Sequence, residues 1–181
     1  YMVDELKETE PIGQVRSFFE ENFDGLVLLE VTVDFGKPKQ VLNLPNLQKL
    51  DKLSEELSKD EDISKPISLI EVIKFANQAF YNGKPSYYKL PTNMTKNFIL
   101  KYASQSTGEI GGQANSFVDS TLQRVRLSFR VKDIGTKKMQ EKENKLYNIV
   151  EQYFPNDRYT VKVTGSSIIF FKGTQYLVFN L

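Results

Sequence analysis

Histidine and cysteine are both absent from this sequence, and that bounds its chemistry. Without His it lacks the commonest general base and the commonest transition-metal ligand. Without Cys it has no thiolate nucleophile, no cysteine metal site and no disulfide framework. Carboxylates, lysines and tyrosines remain. The carboxylates cluster as Glu20-Glu21, Asp60-Glu61-Asp62 and Glu141 with Glu143. None has the glycine-spaced loop pattern of a calcium site, so they read as solvated faces and turns. Gly108 with Gly111-Gly112 lacks a following Lys-Ser/Thr and is not a phosphate loop. No nucleophile–base pair can be named, so the expectation is a protein that is not an enzyme and uses no metal or cofactor.

Two constellations could instead bind. The first is Arg124, Arg126 and Arg130, with Lys132, in the run TLQRVRLSFRVKD from Thr121 to Asp133. Val125, Leu127, Phe129 and Val131 alternate with these cations, the mark of a strand with one face on a core and the other in water. RNA-binding sheets stack bases on aromatics of the open face. Here those positions hold Arg and Ser, and on another alternating run Leu28, Glu30, Thr32 and Asp34. Acidic groups in the middle repel phosphate, so the arginines read as a charged face meeting a second domain, and nucleic acid is not expected. The second constellation is aromatic: Phe75, Phe80, Tyr81, Tyr87 and Tyr88, with Phe98 and Tyr102 beyond. It reads either as an ordinary small helical core or as the lining of an apolar ligand path.

The elements that must position these groups follow from periodicity. Leu29, Val31, Val33 and Phe35 make a first strand over 26–35. Tyr159, Val161 and Val163 make a last one, and with the arginine strand they imply an antiparallel sheet covered on one side. Leu47, Leu50, Leu53 and Leu57 give a covering helix over 45–59, with Pro45 near its start. Ile63 to Ile67 is a short strand that Pro66 confines to an edge. Ser68-Leu-Ile-Glu71 reads as a capping box, with Leu69, Val72, Ile73, Ala76 and Phe80 as the helical face behind it. Pro91 or Thr92 opens a helix with Phe98, Ile99 and Tyr102 on one side, and 104–116 is a flexible loop. Met139, Leu146, Ile149, Val150 and Tyr153 mark a helix over 136–154. Before the sheet, Pro11 opens a helix whose Val15, Phe18, Phe19 and Phe23 share a face. The tail 166–181 is helix or strand pair. Strand, helix, short strand, insertion, strand, helix, strand is the split βαβ, ferredoxin-like plan: an α+β sandwich of four antiparallel strands and two covering helices, with a helical insertion at 68–119.

At 181 residues, with net charge +1, the chain is long enough for one sizeable core. No stretch reaches the roughly eighteen apolar residues of a membrane span, and no leader opens it. The start at Tyr1 points to a piece of a longer protein.

Phe18-Phe19-Glu20-Glu21-Asn22-Phe23-Asp24-Gly25 precedes a strand ending in Val33-Asp34. Then come Lys65-Pro66-Ile67-Ser68, the run from Lys74 to Gly83, Lys132-Asp133-Ile134-Gly135 and Val163-Thr164-Gly165-Ser166. In this order the chain resembles, over nearly its whole length, the large extracytoplasmic loop of RND-superfamily exporters. The MMPL-like, Patched-related branch of Bacteroidetes type is the nearest likeness. Leu28-Leu29 departs from it where a Pro would be expected beside the first strand. The resemblance implies a twelve-span, proton-driven exporter with two such loops, each holding a porter domain. Residues 1–25 would follow one membrane span, 26–165 would be the porter domain and 166–181 would lead to the next span. The partners would be the rest of the transporter, the other porter loop and a hydrophobic or amphiphilic small molecule, and any oligomer would form through the parent. The location would be the periplasmic side of the inner membrane, with the proton-carrying residues outside this chain. On that reading Phe75, Phe80, Tyr81, Tyr87 and Tyr88 are the cargo path, and Arg124, Arg126 and Arg130 the inter-domain face. The alternative is a free-standing ferredoxin-like module that binds RNA or a small regulatory ligand.

Overall fold

In the computed structural model, β1 (Val27–Asp34) and β3 (Arg124–Val131) form the centre of the sheet. The description covers residues 11–181 except 24, 26, 106–113, 133, 135, 167, 170, 171, 174, 175 and 178–181. The two strands pair antiparallel over their full length, Val27 opposite Val131 and Asp34 opposite Arg124. β2 (Ile67–Ser68) flanks β3 and β4 (Thr160–Thr164) flanks β1, giving the order β2-β3-β1-β4 with every neighbour antiparallel. This is the ferredoxin-like split βαβ sandwich. Alternation decides its faces: Leu29, Val31, Val33, Val125, Leu127, Phe129 and Val131 are buried on one side, while the side chains between them face outward.

Two helices cover the buried face. α2 (Leu44–Leu57) starts with Pro45 in its first turn and buries Leu47, Leu50, Leu53 and Leu57. A long helix after β3, Thr136–Tyr153, contributes Met139, Leu146 and Val150 to the same core. Phe35, Phe154 and Tyr159 close one end with edge-to-face ring contacts at centroid distances of 5.2 to 5.9 Å, the arrangement the ring quadrupoles favour. β3 begins sharply because the Asp119 carboxylate accepts from the amides of Gln123 (2.8 Å) and Arg124 (2.9 Å), while Leu122 takes a positive φ.

Between β2 and β3 lies the insertion: α3 (Leu69–Phe80), a 3₁₀ turn (Pro85–Tyr87) and α4 (Lys96–Gln105). The helix after β3 is therefore α5. Three expectations change here. The strand over Ile63 to Ile67 is broken: Ile63 makes only an isolated bridge to Val131, and regular pairing is left to Ile67 and Ser68. The Ser64 Oγ accepts from the Arg130 amide in between, and Pro66 has no amide to donate. The capping box does not form. Ser68 is paired with Leu127 in the sheet, which turns its side chain into the core, where Oγ has no partner. In α4, Ile99 is buried but its neighbour Phe98 is exposed; the Tyr102 side chain lies outside the description, as does 106–113 of the expected flexible loop.

The chain reaches and leaves the sheet at one end. Gly25 (φ 134°) sits where a Cβ would lie 2.5 Å from the Val131 carbonyl carbon, and at Gly165 (φ 121°) a Cβ would lie 2.2 Å from the Leu28 oxygen. Only glycine allows either passage. α1 (Pro11–Phe23) precedes the first. After the second, the tail is helical at its described positions between 166 and 177. The Leu28 amide donates to Ser166 Oγ (3.1 Å), Ile168 is buried, and Lys172 lies 3.6 Å from the Glu143 carboxylate of α5.

Candidate functional site

The insertion gathers most of the aromatic set, but into separate groups. α3 ends at Tyr81, and Asn82 and Gly83 turn the chain with positive φ. The 3₁₀ turn then brings Tyr87 back onto Tyr81, with rings stacked at 3.9 Å and 17°. Phe80 meets Tyr81 edge-on at 5.3 Å, and Lys89 lies 5.4 Å from the Tyr87 ring centre. Asn77, buried in α3, holds this turn in place. Its Nδ2 donates to the carbonyls of Tyr87 (2.9 Å) and Lys89 (3.1 Å), and Gln78 donates to that of Gly83 (3.0 Å). Phe75 is exposed, and five residues before Phe80 it projects about 140° away around the helix. Phe80, Tyr81 and Tyr87 therefore form one contiguous surface, and Phe75 stands apart from it.

Tyr88 belongs to a polar group. Its hydroxyl donates to the Glu71 carboxylate. Lys74 Nζ lies 2.5 Å from Asp51 Oδ1 on α2 and 3.5 Å from Glu71 Oε1. Burial opposes the charge of Lys74, but the bond to Asp51 and the nearby Glu71 carboxylate hold its pKa above the ordinary lysine range. Tyr88 is pushed up to about 12, by burial first and then by the bond to Glu71 and the negative charges of Glu71 and Asp51. The group borders an open cavity of about 210 Å³ between α2 and α3, with Ser54, Lys65 and Pro66 also on its wall. Tyr88 thus faces an open, charged recess, and Tyr81 with Tyr87 forms an apolar stack. The Glu71–Lys74 spacing was visible in the sequence; the join to Asp51 and Tyr88 was not.

The arginine face is largely neutralised from within. Arg124 Nε donates to Asp34 (2.7 Å), and Arg126 lies 3.2 Å from Glu30 and donates to the Ser116 carbonyl (2.7 Å). The Arg124 guanidinium, by its hydrogen bond, is the main cause holding the Asp34 carboxyl below its usual value. Arg130 is half-buried on the same face. Phosphates would have to displace these carboxylates to reach Arg124 and Arg126. Among the described residues no group of three or more potential metal ligands comes together, and no helix is long and apolar enough to cross a membrane.

No protein-family model matches the chain, and no curated protein matches it significantly.

Proposed function

We propose that this chain is an extracytoplasmic porter domain of a proton-driven RND-type exporter of the MMPL-like branch. It would guide a hydrophobic or amphiphilic molecule away from the membrane. The observation that carries the reading is the placement of the two flanking segments. α1 and the tail, helical at its described positions, adjoin the same end of β1, through Gly25 and Gly165. Their Val15, Phe18, Ile169, Tyr176 and Leu177 are each more than half exposed. A domain inserted between two membrane spans must receive and return its chain on one side, and apolar helix faces there suit the bilayer boundary or a neighbouring span.

On this reading the domain lies on the periplasmic side of the inner membrane, carries no catalytic or cofactor group, and leaves proton transfer to the rest of the transporter. The Phe80–Tyr81–Tyr87 surface is the cargo contact. Rings with few fixed polar partners bind apolar molecules weakly and adaptably, which a carrier that must release its load requires. Arg124, Arg126 and Arg130 face the other porter loop. The test is efflux of an amphiphilic dye by cells making the full-length protein, with Tyr81 and Tyr87 both replaced by Ala. Reduced efflux at unchanged membrane abundance is expected. Unchanged efflux in that variant and in one that also carries Phe80→Ala would remove the aromatic surface from the path.

A further inference from the structure

The two edges of the sheet are built differently. β2 has only two residues and is preceded by Pro66 and Lys65, the length and composition by which proteins blunt an edge. β4 has five residues, Thr160–Thr164, with no proline. Among the described residues no strand covers its outer side. Beneath that edge runs a groove of about 320 Å³ between β4 and α5, with Tyr147, Val150, Val161 and Val163 as its apolar wall. Glu151 at its border is already engaged by the amide and side chain of Asn156.

The opposite side of β4 carries a different signal. Lys162 is exposed between the two valines, and none of the described carboxylates lies within ion-pair distance of it. It stands in register with Thr32 and, beyond it, Arg126. The row running out to this edge therefore ends in a cation that none of the described carboxylates neutralises. Directly opposed like charges destabilise a strand pair and opposite charges stabilise it.

We propose that the β4 edge accepts an extended segment of another polypeptide as a fifth strand. Apolar side chains of that segment would enter the groove over Val161 and Val163, and a carboxylate between them would stand opposite Lys162. Backbone hydrogen bonds supply the attachment, and the alternation of groove and cation supplies the selection. A second copy of β4, paired about Lys162, would set two ammonium groups face to face and is disfavoured. The inference does not depend on the exporter reading.

The probe is a capped Ser-Thr-Val-Glu-Val-Thr-Ser peptide, with the same peptide carrying Lys in place of Glu as its counterpart. Both are titrated into the 181-residue chain while amide exchange is followed residue by residue. Protection is expected at 160–164, with the Glu peptide binding about fivefold tighter than the Lys peptide at low salt. In Lys162→Glu, whose fold is checked by unchanged exchange in β1 and β3, the preference should invert. Absence of protection at 160–164 up to about 1 mM of either peptide overturns the proposal. So does equal binding of the two peptides, or a preference that Lys162→Glu leaves unchanged. Protection that appears without peptide and grows with protein concentration assigns the edge to a second copy, and also overturns it.

Discussion

Leu127→Ala probes the centre of the sheet, where every layer of the fold depends on register. Leu127 has no exposed surface and stands on β3 between Val31 of β1 and Ser68 of β2. The substitution removes about three carbons' worth of buried surface, roughly 2.4 kcal/mol at ~0.8 per methylene. Because strands hold both sides of the site, it cannot collapse, and the cavity left behind brings the loss to about 3–5 kcal/mol. With a urea slope of about 2 kcal/mol/M the midpoint should fall by about 1.5–2.5 M. Arg126→Ala, one residue earlier, removes an outward side chain that pairs with Glu30 and Ser116. That loss should stay below about 1 kcal/mol, as for other exposed ion pairs. The assay is paired urea unfolding of the two variants by circular dichroism. Equal midpoint shifts would refute the burial pattern, since a slip of one residue exchanges the two faces.

Other outcomes follow from the polar groups. Tyr88, raised to about 12 against an ordinary 10.0, favours the folded state fully below pH 10. Stability should therefore fall as pH rises from 10 to 12, and Tyr88→Phe should flatten that slope in pH-dependent unfolding. At the acid end, burial opposes the charge of Asp60, but its bonds from Lys142 and from the Asp62 amide lower its pKa below 3.8. The stability it contributes is present above that value and lost as pH falls through the folded pKa, so Lys142→Met should weaken the acid dependence below pH 3.8. Asn77→Ala strips the carbonyls of Tyr87 and Lys89 of their donor. It should cost about 1–3 kcal/mol and speed amide exchange across 86–89. The 181-residue chain should show no sub-micromolar, salt-sensitive RNA binding in a filter or anisotropy assay, because Glu30 and Asp34 occupy its central arginines.

The sheet was legible in the sequence because its signal is local and repeated. Eight buried positions on β1 and β3 alternate with outward-facing, mostly polar residues, and α2 declares itself by four leucines at spacings of three and four. Boundaries failed where one residue serves two elements. Ser68 fits a helix N-cap by type, but its place opposite Leu127 fixes its side-chain direction first. Phe98 and Ile99 are adjacent and equally apolar, so composition could not say which faced inward; packing chose Ile99. In the candidate site, the aromatic residues were visible as a group, but their division was not. It depends on the turn at Asn82-Gly83 folding Tyr87 onto Tyr81 while Tyr88 points to Glu71. Asp51 joins that group from α2 across a gap of 23 residues to Lys74, a distance no local pattern spans.

The claim that this is an extracytoplasmic porter domain is tested most directly by sidedness. The chain has no cysteine, so Asn144→Cys on the exposed side of α5 introduces a single reactive thiol into it. In cells making the full-length protein, with any cysteines elsewhere replaced, a maleimide that cannot cross the inner membrane should label this position before lysis. Labelling that appears only after the inner membrane is broken would place the domain on the cytoplasmic side and contradict the account.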